Sequence, residues 1–181
     1  MKHLSYKNQN HHNQLFVENI AIADIAAKVG TPFYCYSKQT LVENFQSFVD
    51  AFSHAEITDY KICYAIKANF NIHLVKILSE LGAGIDAVSA GEVFRGIKAK
   101  VNPKKIVFAG VGKTRQEMEY ALKNGVEEFS VESVAEMFLL NEVATSLNPN
   151  PSLEKNPHKK SFNFSLFLRP ISFFTKVQKL S

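Results

Sequence analysis

From residue 61 onward, short apolar runs alternate with longer stretches whose apolar residues recur at helical spacing. Residues 61–66, 84–88, 105–109 and 126–131 read as strands. Residues 71–81, 90–100, 115–124 and 134–147 read as helices, the first with Ile72, Val75 and Leu78 on one stripe. The strand starts recur at intervals of about 22 residues, which predicts parallel βα units. The helix ends carry their own signals. Ser89-x-x-Glu92, Thr114-x-x-Glu117 and Ser133-x-x-Glu136 each fit a capping box just after a strand, and Gly82 and Gly125 mark helix stops. Ahead of the repeat, residues 31–36 (Thr-Pro-Phe-Tyr-Cys-Tyr) read as a strand. Ser37 then caps a helix over residues 38–52, with Leu41, Phe45, Phe48 and Phe52 on one face.

Four βα units are half of a (β/α)8 barrel, a fold that takes about 250 residues. The expected fold is therefore α/β: a partial TIM-like barrel of about four units, preceded by a strand and a helix. Three segments follow: an N-terminal stretch with its strand (1–36), the partial barrel (37–148) and a divergent basic tail (149–181), for which a frameshifted or disordered stretch is the expectation. The tail opens on Asn148-Pro-Asn-Pro151, a strong breaker. All 8 glycines lie before residue 126, whereas 5 of the 15 phenylalanines lie in the tail. Within it Ser161-Phe-Asn-Phe-Ser-Leu-Phe-Leu168 alternates in its first half and fits a strand. Half a barrel also leaves two sheet edges open to pairing, so self-association of the isolated chain is expected.

Charge changes this picture little. The net charge is +4, but residues 1–148 hold 15 Lys+Arg against 16 Asp+Glu, and residues 149–181 hold 6 against 1. The basic character belongs to the tail, and the main segment offers no basic patch for nucleic acid. No apolar run approaches the length of a membrane span, and the polar N-terminus lacks the apolar stretch of a secretory signal. A cytoplasmic protein is the expectation. Cys35 and Cys63 lie in apolar runs and are expected to be buried, reduced thiols. No Cys/His spacing suggests a zinc site, and His11-His12 reads as a surface pair.

Alternation over residues 61–68 puts Ile62, Tyr64 and Ile66 on one face, to pack on helices, and Cys63, Ala65 and Lys67 on the other. Lys67 then stands at the C-terminal end of the first repeat strand, the catalytic end of such barrels. A confined amine there is a nucleophile able to form a Schiff base with an aldehyde cofactor. The pattern alone leaves open the simpler reading of a lysine leaving a strand toward solvent. Gly110-Val-Gly-Lys-Thr114 resembles the end of a phosphate-binding P-loop, but Val107 stands where its first glycine belongs. Nucleotide binding is rejected there, and Lys113 reads as a solvated residue before a capped helix.

Tyr64-Ala-Ile-Lys-Ala-Asn69 resembles the cofactor-lysine motif of the fold-type III pyridoxal-phosphate (PLP) decarboxylases. Gly30-Thr-Pro-Phe-Tyr-Cys-Tyr-Ser37, Leu81-Gly-Ala-Gly-Ile-Asp-Ala-Val-Ser-Ala-Gly-Glu92, Ile106-Val-Phe-Ala-Gly-Val-Gly-Lys-Thr114 and Ser130-Val-Glu-Ser133 agree in order and spacing. Within that group the second and third of these are similar to diaminopimelate decarboxylase, a cytoplasmic carboxy-lyase of lysine biosynthesis. The resemblance runs from about residue 5 to residue 148. It implies pyridoxal 5'-phosphate as cofactor, held covalently by Lys67, with Asp86 and Glu92 at acidic positions near it. It also implies a homodimer acting on a small amino acid, with neither nucleic acid nor membrane as partner. For Glu92 the capping role is an equal and compatible reading. Ser89 reads as a cap. Asp86, an acid within an apolar strand, needs a partner, and Lys67 is the natural one. The family's ring-stacking histidine, glycine-rich phosphate loop, Glu-Pro-Gly acid and C-terminal β domain have no counterpart in these residues. Ser165-Leu-Phe-Leu-Arg-Pro170 is similar to its fifth strand only in isolation. The expectation is a truncated decarboxylase, inactive alone. The alternatives are a non-catalytic PLP-binding barrel protein, one half of a split decarboxylase, or a βα protein in which Lys67 is incidental.

Overall fold

The computed structural model describes residues 3–9, 12–147 and 164–166. The chain forms two compact units, Met1–Thr58 and Asp59–Ser181.

In the first unit, β1 (Leu4–Gln9) and β2 (His12–Val17) form an antiparallel hairpin, and β3 (Ile20–Ala21) adds to β2. Helix α1 (Ile22–Val29) follows, and then α2 (Lys38–His54). Phe16 and Ala21 are buried. Glu18, in the left-handed turn between β2 and β3, accepts from the Ser37 hydroxyl at 2.7 Å and the Gln39 amide at 2.8 Å. These bonds tie the hairpin to the start of α2, where Ser37 Oγ accepts from Thr40 N as expected of a cap. The hairpin and α1 are additions to the sequence reading. Residues 1–14 are mostly polar and show no sustained alternation, and α1 starts at Ala21 without a capping side chain.

Residues 31–36 are a correction. They form no strand, because a strand requires a partner for its ladder and none of the described residues supplies one. Tyr34 and Tyr36 instead stack on each other in solvent, with centroids 6.5 Å apart. Cys35 between them is exposed and Cys63 is half-buried, so the expected burial of both thiols fails. The His11-His12 pair lies outside the residues whose side chains are described.

The second unit is a parallel sheet in the order β4 (Cys63–Ala65), β5 (Gly84–Ala87), β6 (Ile106–Phe108), β7 (Glu128–Val131) and β8 (Phe164–Leu166). Helices α3 (Ile72–Glu80), α4 (Ala90–Lys98), α5 (Arg115–Lys123) and α6 (Val134–Leu147) connect the strands and follow the last of the four units. All four sequence units are present. β8, from the alternating part of the tail, pairs in parallel with β7.

The register separates two faces. Tyr64 aligns with Ile85, Ile85 with Ile106, and Phe108 with Ala87 and Phe129. This face joins Val75, Val93, Met118, Ala121, Leu140 and Val143 of the helices in one core. The other face carries Cys63, Ala65, Gly84, Asp86, Val107 and Glu128. Two glycines are spacers between layers. A Cβ on Gly84 would stand 2.1 Å from the Lys105 carbonyl oxygen, and one on Gly96 of α4 would stand 2.2 Å from Ile85 Cδ1.

Helices α3, α4 and α5 end in the same way. One residue takes a positive φ (Gly82, Lys100 or Gly125), and the next amide bonds back to the last full turn: Ala83 to Leu78, Val101 to Gly96 and Val126 to Ala121. Ala83, Val101 and Val126 are all buried, which completes a Schellman stop with its apolar contact. Of these three helices, α4 makes the turn with a side-chain-bearing residue, Lys100. Lys100→Gly should therefore stabilise the chain by about 1 kcal/mol, since a left-handed non-glycine residue costs roughly that much. Urea unfolding of the variant checks it.

Candidate active site

The ladder of β4 ends at Ala65, and Ile66–Ala68 turn into a single 3-10 turn. Ile66 is fully buried, whereas Lys67 is exposed just beyond the C-terminal end of the sheet. Three side chains hold the segment around it. Tyr64 Oη donates to the Asn69 carbonyl at 3.1 Å, and Asn69 Oδ1 accepts from Asn71 N at 3.0 Å. The Arg95 guanidinium lies 4.6 Å from the Phe70 ring centroid. Asn71 then caps α3 through His73 N.

Asp86 aligns with Ala65 on the neighbouring strand and shares its face. Lys67 leaves from a turn beyond the end of the ladder rather than from the strand itself. Glu92 is occupied by the backbone: its carboxylate accepts from Val88 N at 2.6 Å, while Ser89 Oγ accepts from Glu92 N at 3.3 Å. Ser89 therefore caps α4 as expected, whereas Glu92 reaches one residue past the cap, to Val88 N, and closes no capping box on Ser89 N.

Glutamates in the first turns of the next two helices lace adjacent units together at this end of the sheet. Glu117 accepts from Thr114 N at 3.0 Å and Thr114 Oγ1 at 2.9 Å, completing a capping box, and from Ala90 N of the preceding unit at 3.3 Å. Glu136 accepts from Glu132 N at 3.1 Å, and Ser133 Oγ accepts from Glu136 N. Glu136 also pairs with Lys113.

Lys113 is a second correction. Its side chain is only 1% exposed rather than solvated. It donates to the Gly110 carbonyl at 2.7 Å and the Ser130 carbonyl at 2.6 Å, beside its ion pair with Glu136. An ammonium has three donors, and here three acceptors meet them, which is what makes its burial tolerable. The loop above it, with Val111 85% exposed, is thereby fixed at the ends of β6 and β7. A further ion pair, Lys61 with Glu128, bridges β7 and the lead-in to β4. Sequence reasoning missed it, because only the register reveals that Lys61 and Glu128 share a face. Among the described residues no group of three His, Cys, Asp or Glu is placed to hold a metal ion, and no helix is long and apolar enough to cross a membrane.

The pyridoxal-binding domain of the pyridoxal-dependent decarboxylases matches residues 38–161, continuing past the Asn148-Pro151 break. The chain belongs to this family. It is 42% identical over 153 residues to the diaminopimelate decarboxylase of Aquifex aeolicus, covering 80% of this chain and 35% of that protein. It is 39% identical over 165 residues to that of Vibrio cholerae, covering 86% and 38%. The crystal structure of diaminopimelate decarboxylase from M. jannaschii in complex with L-lysine superposes with a TM-score of 0.73 at 33% identity, covering 80% of this chain and 33% of that one. The chain thus spans about a third of the length of the relatives it matches. The cofactor of the family is pyridoxal phosphate, and an exposed amine at a strand end is a group that suits its aldehyde.

Two expected outcomes follow from this lacing. Lys113→Met leaves Glu136 buried and uncompensated, so urea unfolding should show a loss of about 3 kcal/mol or more. A loss below about 1 kcal/mol would mean that the pair reaches water. The Thr114 amide and hydroxyl that bond Glu117, with the Ala90 amide, hold its carboxyl below the ordinary glutamate range. Its contribution is fully present above the unfolded-state value and is lost as pH falls through the depressed folded value. Glu117→Gln should therefore flatten the acid limb of the stability–pH curve and leave its neutral slope unchanged.

Proposed function

We propose that this chain is the lysine-bearing portion of a PLP-dependent diaminopimelate decarboxylase, which converts meso-diaminopimelate to L-lysine and CO2. One observation carries the reading: Lys67 stands exposed on a turn at the C-terminal end of a parallel strand, within a domain of the pyridoxal-binding family. Active sites of such sheets gather at that end. The L-lysine held by the M. jannaschii relative is the product expected of this reaction.

Pyridoxal phosphate, when bound, supplies an electron sink for the charge left by departing CO2. This chain's residues would do the rest of the local work. The Lys67 amine would hold the aldehyde carbon and keep the cofactor at the sheet end. Asp86 would place a negative charge on the adjoining strand, favouring cationic groups there. Glu92 would act indirectly, by fixing the turn between β5 and α4. Contacts to phosphate and substrate are assigned to polypeptide beyond the four units, in this chain or another. The reading carries with it a cytoplasmic homodimer and a small amino-acid substrate.

The test is incubation of the purified chain with PLP, borohydride reduction and peptide mapping. A covalent label confined to Lys67, and absent from Lys67→Ala, is the expected result. Label scattered over surface lysines would reduce the protein to a βα fold in which Lys67 is incidental.

A further inference from the structure

We propose that the Tyr64 hydroxyl is a latch that fixes the turn carrying Lys67, making Tyr64 a positioning residue for that amine. The inference rests on the reading of Lys67 as the cofactor-holding lysine and adds to it the means by which the amine is aimed.

A single 3-10 turn has little stability of its own, because it fixes several dihedrals for few hydrogen bonds. Ile66–Ala68 is such a turn, and the β4 ladder stops one residue before it. On its C-terminal side the chain is held by the Asn69 side chain on Asn71 N, and by Arg95 stacked on Phe70. Across the turn itself runs a side-chain bond, from Tyr64 Oη to the Asn69 carbonyl at 3.1 Å. That bond joins the last residues of the strand to the residue just after the turn, so it closes a loop around Lys67. The Tyr64 ring meanwhile packs against the helix-side core. The ring and the hydroxyl thus have separable roles: one anchors the strand, and the other reaches past the strand end to the backbone of the turn.

Tyr64→Phe removes the hydroxyl and keeps the ring, so it isolates the latch. The control is Val143→Ala, which opens a small void in the buried face of α6, far along the chain from the turn. In the full 181-residue chain, two quantities are measured: amide hydrogen exchange of residues 66–70, and the PLP concentration that half-saturates borohydride-trapped label on Lys67. Tyr64→Phe should raise both by roughly threefold to tenfold, the range for loss of one neutral hydrogen bond. Val143→Ala should lower the melting temperature and change neither. Unchanged exchange in Tyr64→Phe overturns the latch whatever the label does. Equal weakening of the label by Val143→Ala also overturns it, because general destabilisation would then explain the effect. Raised exchange with no label on wild-type Lys67 supports the latch and sinks the decarboxylase reading instead.

Discussion

Parallel pairing obliges the chain to return across the whole sheet before each new strand can start. Everything else in the second unit answers that obligation. Its described strands are only three or four residues long, so their ladders hold few bonds and stand only with helices laid over one face. Each return therefore needs a helix of defined length, started and stopped at fixed heights. The Schellman turns set the stops, with Ala83, Val101 and Val126 buried at the point where the chain re-enters the sheet. The capping carboxylates set the starts.

Those carboxylates also bind one unit to the next. Glu117 caps α5 and at the same time takes the Ala90 amide of α4. Lys113, just before α5, reaches forward to Ser130 in β7 and Glu136 in α6. The C-terminal end of the sheet is thus held by charge-assisted bonds that run sideways, while its middle is held by apolar packing. Such bonds are short-ranged and directional. They suit an end where loops must keep fixed positions without the help of a covering layer.

Much of this was legible in the sequence, and the misses share a cause. The four βα units show because period and capping signals recur within each one, and both arise from local contacts. β8 could be read because Phe162 and Phe164 alternate with Ser161, Asn163 and Ser165. Residues 31–36 have the composition of a strand, but a strand exists only as half of a pair, and composition cannot supply the other half. Lys113 looked solvated because a lysine ahead of a cap usually is. Its burial depends on carbonyls three and seventeen residues away and on a glutamate of another helix. The Lys61–Glu128 pair is equally invisible, spanning 67 residues. For Lys67 the motif marked the residue, whereas parity assigned it to the strand face; the ladder ends too early for parity to apply.

The two sheet faces bear unequally on what this fold is for. The helix-side face holds Ile85, Ile106, Phe108 and Phe129, and with the helices it accounts for the apolar core. The other face holds one branched aliphatic residue, Val107, beside a cysteine, an alanine, a glycine, an aspartate and a glutamate among its aligned residues. Burying such a face gains little apolar area and incurs the desolvation of charge, which the Lys61–Glu128 pair offsets only in part. A sequence shaped for stability alone would place branched aliphatic residues there, as closed barrels generally do. Small and ionisable residues in register, leading to an exposed lysine at the strand end, are arranged to leave room and to place charge.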